Sequence, residues 1–148
     1  MLRTVLATLL LTSSSLSFAQ TSYRFGEPAP ASAATREIRV DANDDMRFVP
    51  EKFNIRLGEV VTFVVTNSGK KRHEFLMGDV ASHRAHQKMM AKNPHMHHDD
   101  DPTALTLAAG ETKRLTWRFN QNNPQIEMAC LIGRHYQDGM KASVTLSQ

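Results

Sequence analysis

Short runs of β-branched and aromatic residues, separated by turn residues, repeat along most of this 148-residue chain. Gly58-Glu59 and Asn67-Ser68-Gly69 are two of the turns. Many short strands with little helix predict an all-β fold, and we expect a Greek-key β-sandwich. The strand-like runs are residues 36–41, 46–49, 52–57, 60–67, 74–77, 104–107, 112–119, 126–130 and 142–146.

Two of these runs indicate which strands face the core. In residues 60–66, apolar or β-branched side chains fall on both faces, which is typical of a strand covered on both sides. In residues 115–119, Leu115, Trp117 and Phe119 alternate with polar residues. We expect that alternating face to pack in the core.

The N-terminal residues have the features of an export signal. Arg3 gives a positive start, a short apolar run follows, and Ser17-Phe18-Ala19 offers a cleavage site. We predict a signal peptide over residues 1–19, a flexible leader rich in Ala, Ser, Pro and Thr over 20–35, and one domain over 36–148. Residues 79–102 lack strand character and are predicted to form an insertion in that domain, as a loop or short helix. Export predicts a periplasmic location.

Charge and hydropathy argue against a nucleic-acid-binding protein and against an integral membrane protein. Without Arg3 the chain keeps 17 of its 18 basic residues against 15 acidic ones, and this net charge of +2 does not favour a nucleic-acid partner. The apolar run of the signal is far shorter than the roughly 20 residues that span a bilayer, and no later stretch is apolar enough. We therefore do not expect an integral membrane protein.

Cys130 is the one cysteine of the chain, so it has no disulfide partner within it. It must be buried, joined to another chain, or bound to a metal. His135 and Met140 follow it at equal spacing, and a thiolate, two imidazoles and a weak axial thioether are the ligands of a blue copper centre. Zinc also accepts Cys and His, but it favours closure by strong ligands and has no need of Met. The pattern therefore predicts copper, with a distant histidine completing the set.

Several segments together have the pattern of a known family. They are Met46-Arg47-Phe48-Val49-Pro50, Gly58-Glu59-Val60-Val61-Thr62-Phe63, Asn67-Ser68-Gly69 leading to His73-Glu74-Phe75, and finally Cys130, His135 and Met140. With these segments the chain resembles a cupredoxin of the plastocyanin/azurin family, most like a copper-tolerance cupredoxin. The resemblance covers residues 36–148 apart from the insertion.

This resemblance implies a type 1 copper centre and a role for each residue. His73 and His135 would donate imidazole nitrogens, Cys130 would bind as a thiolate, and Met140 would be the axial ligand. Two departures from the family pattern are visible. Four residues separate Cys130 from His135, which is longer than in plastocyanins, and Glu74 stands where many relatives carry Asn.

The insertion is rich in histidine and methionine. If residues 82–92 form a helix that ends at Asn93-Pro94, then His83, His86 and Met90 share one face. Imidazole suits Cu(II) and thioether suits Cu(I), so the insertion could hold a second copper ion. The alternative is a solvated loop whose histidines bind nothing. The candidate ligands are His83, His86, Met90, His95, Met96, His97 and His98, and His95, His97 and His98 are the first choice.

Three hypotheses for function follow. The insertion favours an exported copper-binding protein that acts in copper tolerance and handles Cu(I) and Cu(II). The alternative is a mobile periplasmic electron carrier, for which the copper centre alone suffices. An enzyme is the least supported, because one domain carries one Cys and one His-x-His, and it would be an oxidase acting on Cu(I). Besides copper ions, the expected partners are periplasmic redox proteins or copper transporters.

Overall fold

The structure is a computed structural model that describes residues 23–92, 101–122 and 125–148. Within these residues it contains ten β-strands and one α-helix, α1 (Val80–Lys92). The predicted signal peptide lies outside the described residues. The strands are β1 (Glu27–Pro28), β2 (Arg36–Asn43), β3 (Arg47–Val49), β4 (Lys52–Arg56), β5 (Val60–Asn67), β6 (His73–Asp79), β7 (Ala104–Leu107), β8 (Thr112–Arg118), β9 (Ile126–Ala129) and β10 (Lys141–Ser147).

The strands form two five-stranded sheets, which confirms the predicted all-β sandwich. One sheet has the order β1-β8-β5-β2-β3 and the other β4-β10-β9-β6-β7. Most neighbours are antiparallel, but β2 pairs with β5 and β4 pairs with β10 in parallel. The chain must therefore cross between the sheets, as Greek-key connections do.

The core lies between the two sheets and is rich in aromatic side chains. Phe63 of β5 packs near Phe53, Phe75 and Phe119, with ring centroids 5.3–6.3 Å apart. The predicted core face of β8 is also correct, because Leu115 and Trp117 are buried. Each aromatic side chain that is removed from water contributes roughly 1.5–3 kcal/mol to folding.

The segment before β2 differs from the sequence prediction of a flexible leader. β1 pairs with β8, and the Trp117 indole Nε1–H donates a hydrogen bond to the carbonyl oxygen of Phe25 at 3.1 Å. Phe25 also stacks on Trp117 at 5.5 Å. The described part of this segment, from Tyr23 onward, is therefore packed against β8 of the sandwich. A two-residue strand is too short to show any periodicity, which is why the sequence did not reveal it.

The insertion begins as a helix directly at the end of β6. The Asp79 carboxylate accepts a hydrogen bond from the Ser82 backbone N–H, and the Ser82 hydroxyl accepts one from the Asp79 N–H, both at 2.8 Å. This reciprocal cap satisfies two backbone donors at the helix start. The prediction that the insertion forms a short helix is therefore confirmed for its described part, α1. Within the described residues, no helix is both long enough and apolar enough to cross a membrane.

Candidate metal centre

His73 and Cys130 are brought together by two neighbouring strands. His73 is the first residue of β6, and Cys130 directly follows the last residue of β9. The two strands are antiparallel, with Leu76 opposite Ala129. The start of β6 and the end of β9 therefore lie side by side at the same end of the sheet.

His135 and Met140 lie on the loop that connects β9 to β10, which we call the ligand loop (residues 130–140). Its two ends are joined, because the Cys130 N–H donates to the Met140 carbonyl at 3.1 Å. The Met140 N–H in turn donates to the His135 carbonyl at 2.9 Å. Gly139 has a φ of 106°, a value that favours glycine. The backbone thus fixes the loop in a tight conformation.

Three of the four predicted ligands converge. One donor atom from each of His73, Cys130 and His135 lies within 4.8 Å of the other two. The Cys130 Sγ is 3.3 Å from the His135 Nδ1. Metal–donor bonds of about 2.0–2.3 Å place two donors of one ion no more than roughly 4.6 Å apart, so this spacing is close to what one ion requires.

The hydrogen bonding of His73 leaves one nitrogen for a metal. Its Nε2 lies 3.1 Å from the Asp44 Oδ1, and hydrogen bonds from the Lys70 and Lys71 backbone, together with His73, lower the pKa of Asp44 to about 2. Asp44 is therefore a carboxylate that only accepts, so Nε2–H must donate to it. The remaining Nδ1 is one of two buried side-chain N or O atoms in the described residues that have no hydrogen-bond partner. A buried ring nitrogen without a hydrogen-bond partner fits a metal ligand.

Burial favours the neutral forms of the other two donors, Cys130 and His135, when no metal is present. Desolvation raises the pKa of the Cys130 thiol to about 11, although the hydrogen bond from the Glu74 N–H to its Sγ at 3.3 Å acts in the opposite direction. Desolvation lowers the pKa of His135, and the nearby His73 and Lys71 add to this effect. A neutral imidazole is ready to bind a metal, whereas the thiol must lose its proton on binding.

Glu74 connects the two segments that carry the candidate ligands. Its Oε2 accepts a hydrogen bond from the Leu131 backbone N–H at 3.3 Å, and its own N–H donates to the Cys130 Sγ. The residue that departs from the family pattern therefore supplies a link between β6 and the ligand loop.

Met140, the predicted axial ligand, is completely buried in the core, as are His73 and Cys130. Its backbone hydrogen bonds to Cys130 and His135 keep it beside both of these candidate ligands in the loop. A buried thioether of this kind can be a weak axial ligand. The donor set as a whole suits copper.

The comparisons with known proteins agree with this geometry. The model of the copper binding proteins of the plastocyanin/azurin family matches residues 34–147. The chain belongs to this family. Its cofactor is copper.

Relatives of known name are similar to most of this cupredoxin. A copper-resistant cuproprotein CopI of Rubrivivax gelatinosus is 40% identical over 122 residues, which cover 82% of this chain and 73% of the relative. A protein of the same name from Pseudomonas aeruginosa is 35% identical, with 82% of each chain covered. Among solved structures, auracyanin B has a TM-score of 0.65 at 21% identity, covering 83% of this chain and 96% of its own. Reduced auracyanin from Roseiflexus castenholzii has a TM-score of 0.61 at 19% identity, covering 78% of this chain and 99% of its own. These two structures show the fold.

The insertion residues divide into three groups. His83 is buried, and its Nε2–H donates to the Glu127 carbonyl at 3.4 Å. His86 and Met90 are half-buried on the same side of α1, and His86 and His83 border a cavity of about 180 Å³. His95, Met96, His97 and His98 lie outside the described residues. The sequence predicted that His83, His86 and Met90 share one face of the helix. In the structure, the first of these residues, His83, packs against β9.

Asp44, Tyr136 and Glu127 make contacts that were not identified from the sequence. Asp44 contacts His73, and the hydroxyl of Tyr136, in the ligand loop, donates to the Glu127 Oε1 at 2.7 Å. Asp44 is 29 residues from His73 in sequence and does not belong to a recognisable motif, so no sequence signal indicated this contact. Tyr136 is next to His135, so its position in the ligand loop was the one available signal.

Proposed function

We propose that this cupredoxin is an exported, periplasmic copper-tolerance protein whose copper is held by His73, Cys130, His135 and Met140 as a type 1 centre. The proposal depends above all on the convergence of three donor atoms within 4.8 Å, together with the buried His73 Nδ1 that has no partner. The CopI relatives, which are named copper-resistant cuproproteins, support the role in tolerance.

Copper bound here would exchange one electron between Cu(I) and Cu(II). The protein supplies a rigid set of ligands, because β6, β9 and the ligand loop are hydrogen-bonded to one another. Ligands that cannot move far favour rapid electron exchange, because little rearrangement accompanies a change of metal charge. Burial of His73 and Cys130 keeps water away from the thiolate. We infer copper binding and electron exchange, not catalytic turnover.

The insertion would provide a second place for copper. His86 and Met90 offer an imidazole and a thioether one turn apart on α1, and His95, Met96, His97 and His98 follow in the sequence. Such a mixture suits both copper oxidation states. The ring of His83 packs against β6 and β9 instead of facing solvent, and its Nδ1, like that of His73, has no hydrogen-bond partner among the described residues.

A copper challenge tests the role in tolerance. A strain that lacks this protein is complemented with the wild-type chain, with Cys130→Ala, or with a chain that lacks residues 81–101. We expect both variants to grow less well in copper than the wild-type strain, while growth without copper is equal. Equal growth of all three in copper would contradict the proposal.

A mobile electron carrier is the second candidate, and the exposure of the ligands favours it. His135 is half-exposed, whereas His73 and Cys130 are buried, so electrons would pass through the His135 edge. Leu131 and Ile132 beside it are half-buried and would contact a redox partner. Rapid reduction by a periplasmic redox protein that is lost in Leu131→Ala and unchanged by deletion of residues 81–101 would favour this candidate.

A further inference from the structure

Asp44 has a fixed position next to His73, one of the candidate copper ligands. It lies at the tip of the hairpin between β2 and β3, where the Asn43 side chain accepts a hydrogen bond from the Asp45 N–H at 3.2 Å. The hairpin also closes through the Met46 N–H, which donates to the Asn43 carbonyl at 3.2 Å. The backbone at Asp44 is therefore held by its two neighbours.

The carboxylate of Asp44 is also held from the other side. The backbone N–H groups of Lys70 and Lys71 donate to its two oxygens at 2.8 and 3.2 Å. Gly69 allows this approach, since a Cβ at that position would overlap the Asp44 carboxylate. Asp44 is thus oriented by the turn that precedes β6 before it contacts His73.

The oriented carboxylate accepts the Nε2–H of His73 at 3.1 Å. We propose that Asp44 is a positioning residue for the copper ligand His73, one that presents Nδ1 to the metal and favours Cu(II) over Cu(I). This inference rests on the proposed type 1 centre. A carboxylate that accepts the outer N–H of a ligating histidine fixes its tautomer and ring orientation and makes the inner nitrogen a stronger donor.

The charge of Asp44 gives the direction of the effect. A full negative charge near the centre is attracted more strongly to Cu(II) than to Cu(I), because the attraction increases with the metal charge. A neutral acceptor in the same place would fix the ring but would lack this preference. Asp44 should therefore lower the reduction potential of the centre.

Asp45 offers a matched control. It is the adjacent residue, carries the same charge and is exposed, whereas Asp44 contacts His73. Asp45→Asn therefore removes an equal charge from the same hairpin without removing the contact. Asp44→Asn keeps the shape of the side chain and an acceptor oxygen, and Asp44→Ala removes the acceptor.

The experiment measures Cu(II) affinity and reduction potential for the full chain and the three variants. We expect Asp44→Ala to weaken Cu(II) binding about 10–100-fold. A tenfold loss that affects Cu(II) alone raises the potential by about 59 mV. Asp44→Asn should change both quantities in the same direction by less, and Asp45→Asn should leave them close to wild type. Thermal unfolding of the metal-free proteins reports whether each variant is folded.

A second readout does not depend on copper. Nitrogen NMR of the His73 ring in the metal-free chain, near pH 8, distinguishes the two neutral tautomers. We expect the Nε2–H form in wild type and a mixture in Asp44→Ala. A wild-type chain with the Nδ1–H form, or equal potentials in Asp44→Asn and Asp45→Asn, would overturn the inference. A wild-type chain that gives no thiolate-to-copper absorption would instead overturn the proposed centre itself.

Discussion

The Glu74 carboxylate accepts a hydrogen bond from the backbone N–H of Leu131 at 3.3 Å. This contact joins β6, which begins with His73, to the ligand loop, which contains His135 and Met140. Glu74 is buried, so the contact is shielded from water. Three of the four candidate ligands therefore depend on a single side chain for part of their relative position.

Glu74→Ala should loosen the connection between β6 and the ligand loop. The loss of a buried acceptor leaves the Leu131 N–H without this partner, which costs about 1–3 kcal/mol. Glu74→Gln keeps an acceptor oxygen of the same reach and should cost less. Urea unfolding of the metal-free proteins measures both changes. Equal stability of wild type and Glu74→Ala would show that the contact does not hold the loop.

Tyr136→Phe should destabilise the protein more than Tyr23→Phe. The Tyr136 hydroxyl donates to Glu127 at 2.7 Å, and burial together with this contact raises the pKa of Tyr136 to about 12. The Tyr23 ring packs on Phe25 and Trp117, contacts that a phenylalanine ring can also make, so Tyr23→Phe serves as the control. We expect a loss of about 1–2 kcal/mol for Tyr136→Phe and less than about 0.5 kcal/mol for Tyr23→Phe. Equal unfolding free energies would rule out a stabilising role for the contact.

His83 should make the metal-free protein less stable in mild acid. Desolvation lowers the pKa of His83, although Glu127 acts in the opposite direction. The unfolded chain therefore takes up a proton at His83 near the ordinary pKa of about 6.5, whereas the folded chain takes it up only at a lower pH, and stability falls as the pH falls through about 6.5. His83→Leu should show a shallower decrease in unfolding free energy between about pH 7.5 and 5.5.

The His86→Gln variant is the control for this pH dependence. His86 lies one turn further along α1 and is half-buried. The histidines outside the described residues are unchanged in both variants, so their contributions cancel. A pH dependence that is the same in wild type and His83→Leu would show that His83 accepts its proton equally well in the folded chain.

Cys130 should remain a thiol in the metal-free protein well into alkaline pH. Burial raises its pKa to about 11, whereas an unfolded chain ionises near the ordinary value of about 8.5. The unfolded chain then holds fewer protons, so Cys130 contributes a loss of stability as pH rises between these values. Ultraviolet absorbance of the thiolate, with Cys130→Ser as the blank, measures the titration. Ionisation of the folded chain at the ordinary pKa would contradict the burial of the thiol.

The sequence predicted the strands well because most of them are long enough to show a pattern. The run at residues 60–67 agrees with β5, and the run at 104–107 agrees with β7. Each has apolar side chains bounded by turn residues, and both signals are local. β1 was missed because a strand of two residues has no periodicity, and Phe25, which precedes it, packs on Trp117, a residue 92 positions away.

The candidate centre was predictable in its residue types but not in its surroundings. The spacing of Cys130, His135 and Met140 is local, and the structure brings Cys130 and His135 together with the distant His73. Asp44 and Glu74 were different, because each acts through a contact that exists only after the hairpin, the turn and the ligand loop have folded together. The burial of His83 likewise depends on the packing of α1 against β9. That the four ligands bind copper stays a prediction.

Addition of Cu(II) to the purified chain and to Cys130→Ala tests the central claim most directly. Absorbance and metal content are measured together at each step of the titration. The wild-type chain should develop an intense visible thiolate-to-copper band, and Cys130→Ala should lack the band while still binding copper through the insertion. A band that persists in Cys130→Ala, or a wild-type chain that binds copper without one, would contradict the assignment of Cys130 as a copper ligand.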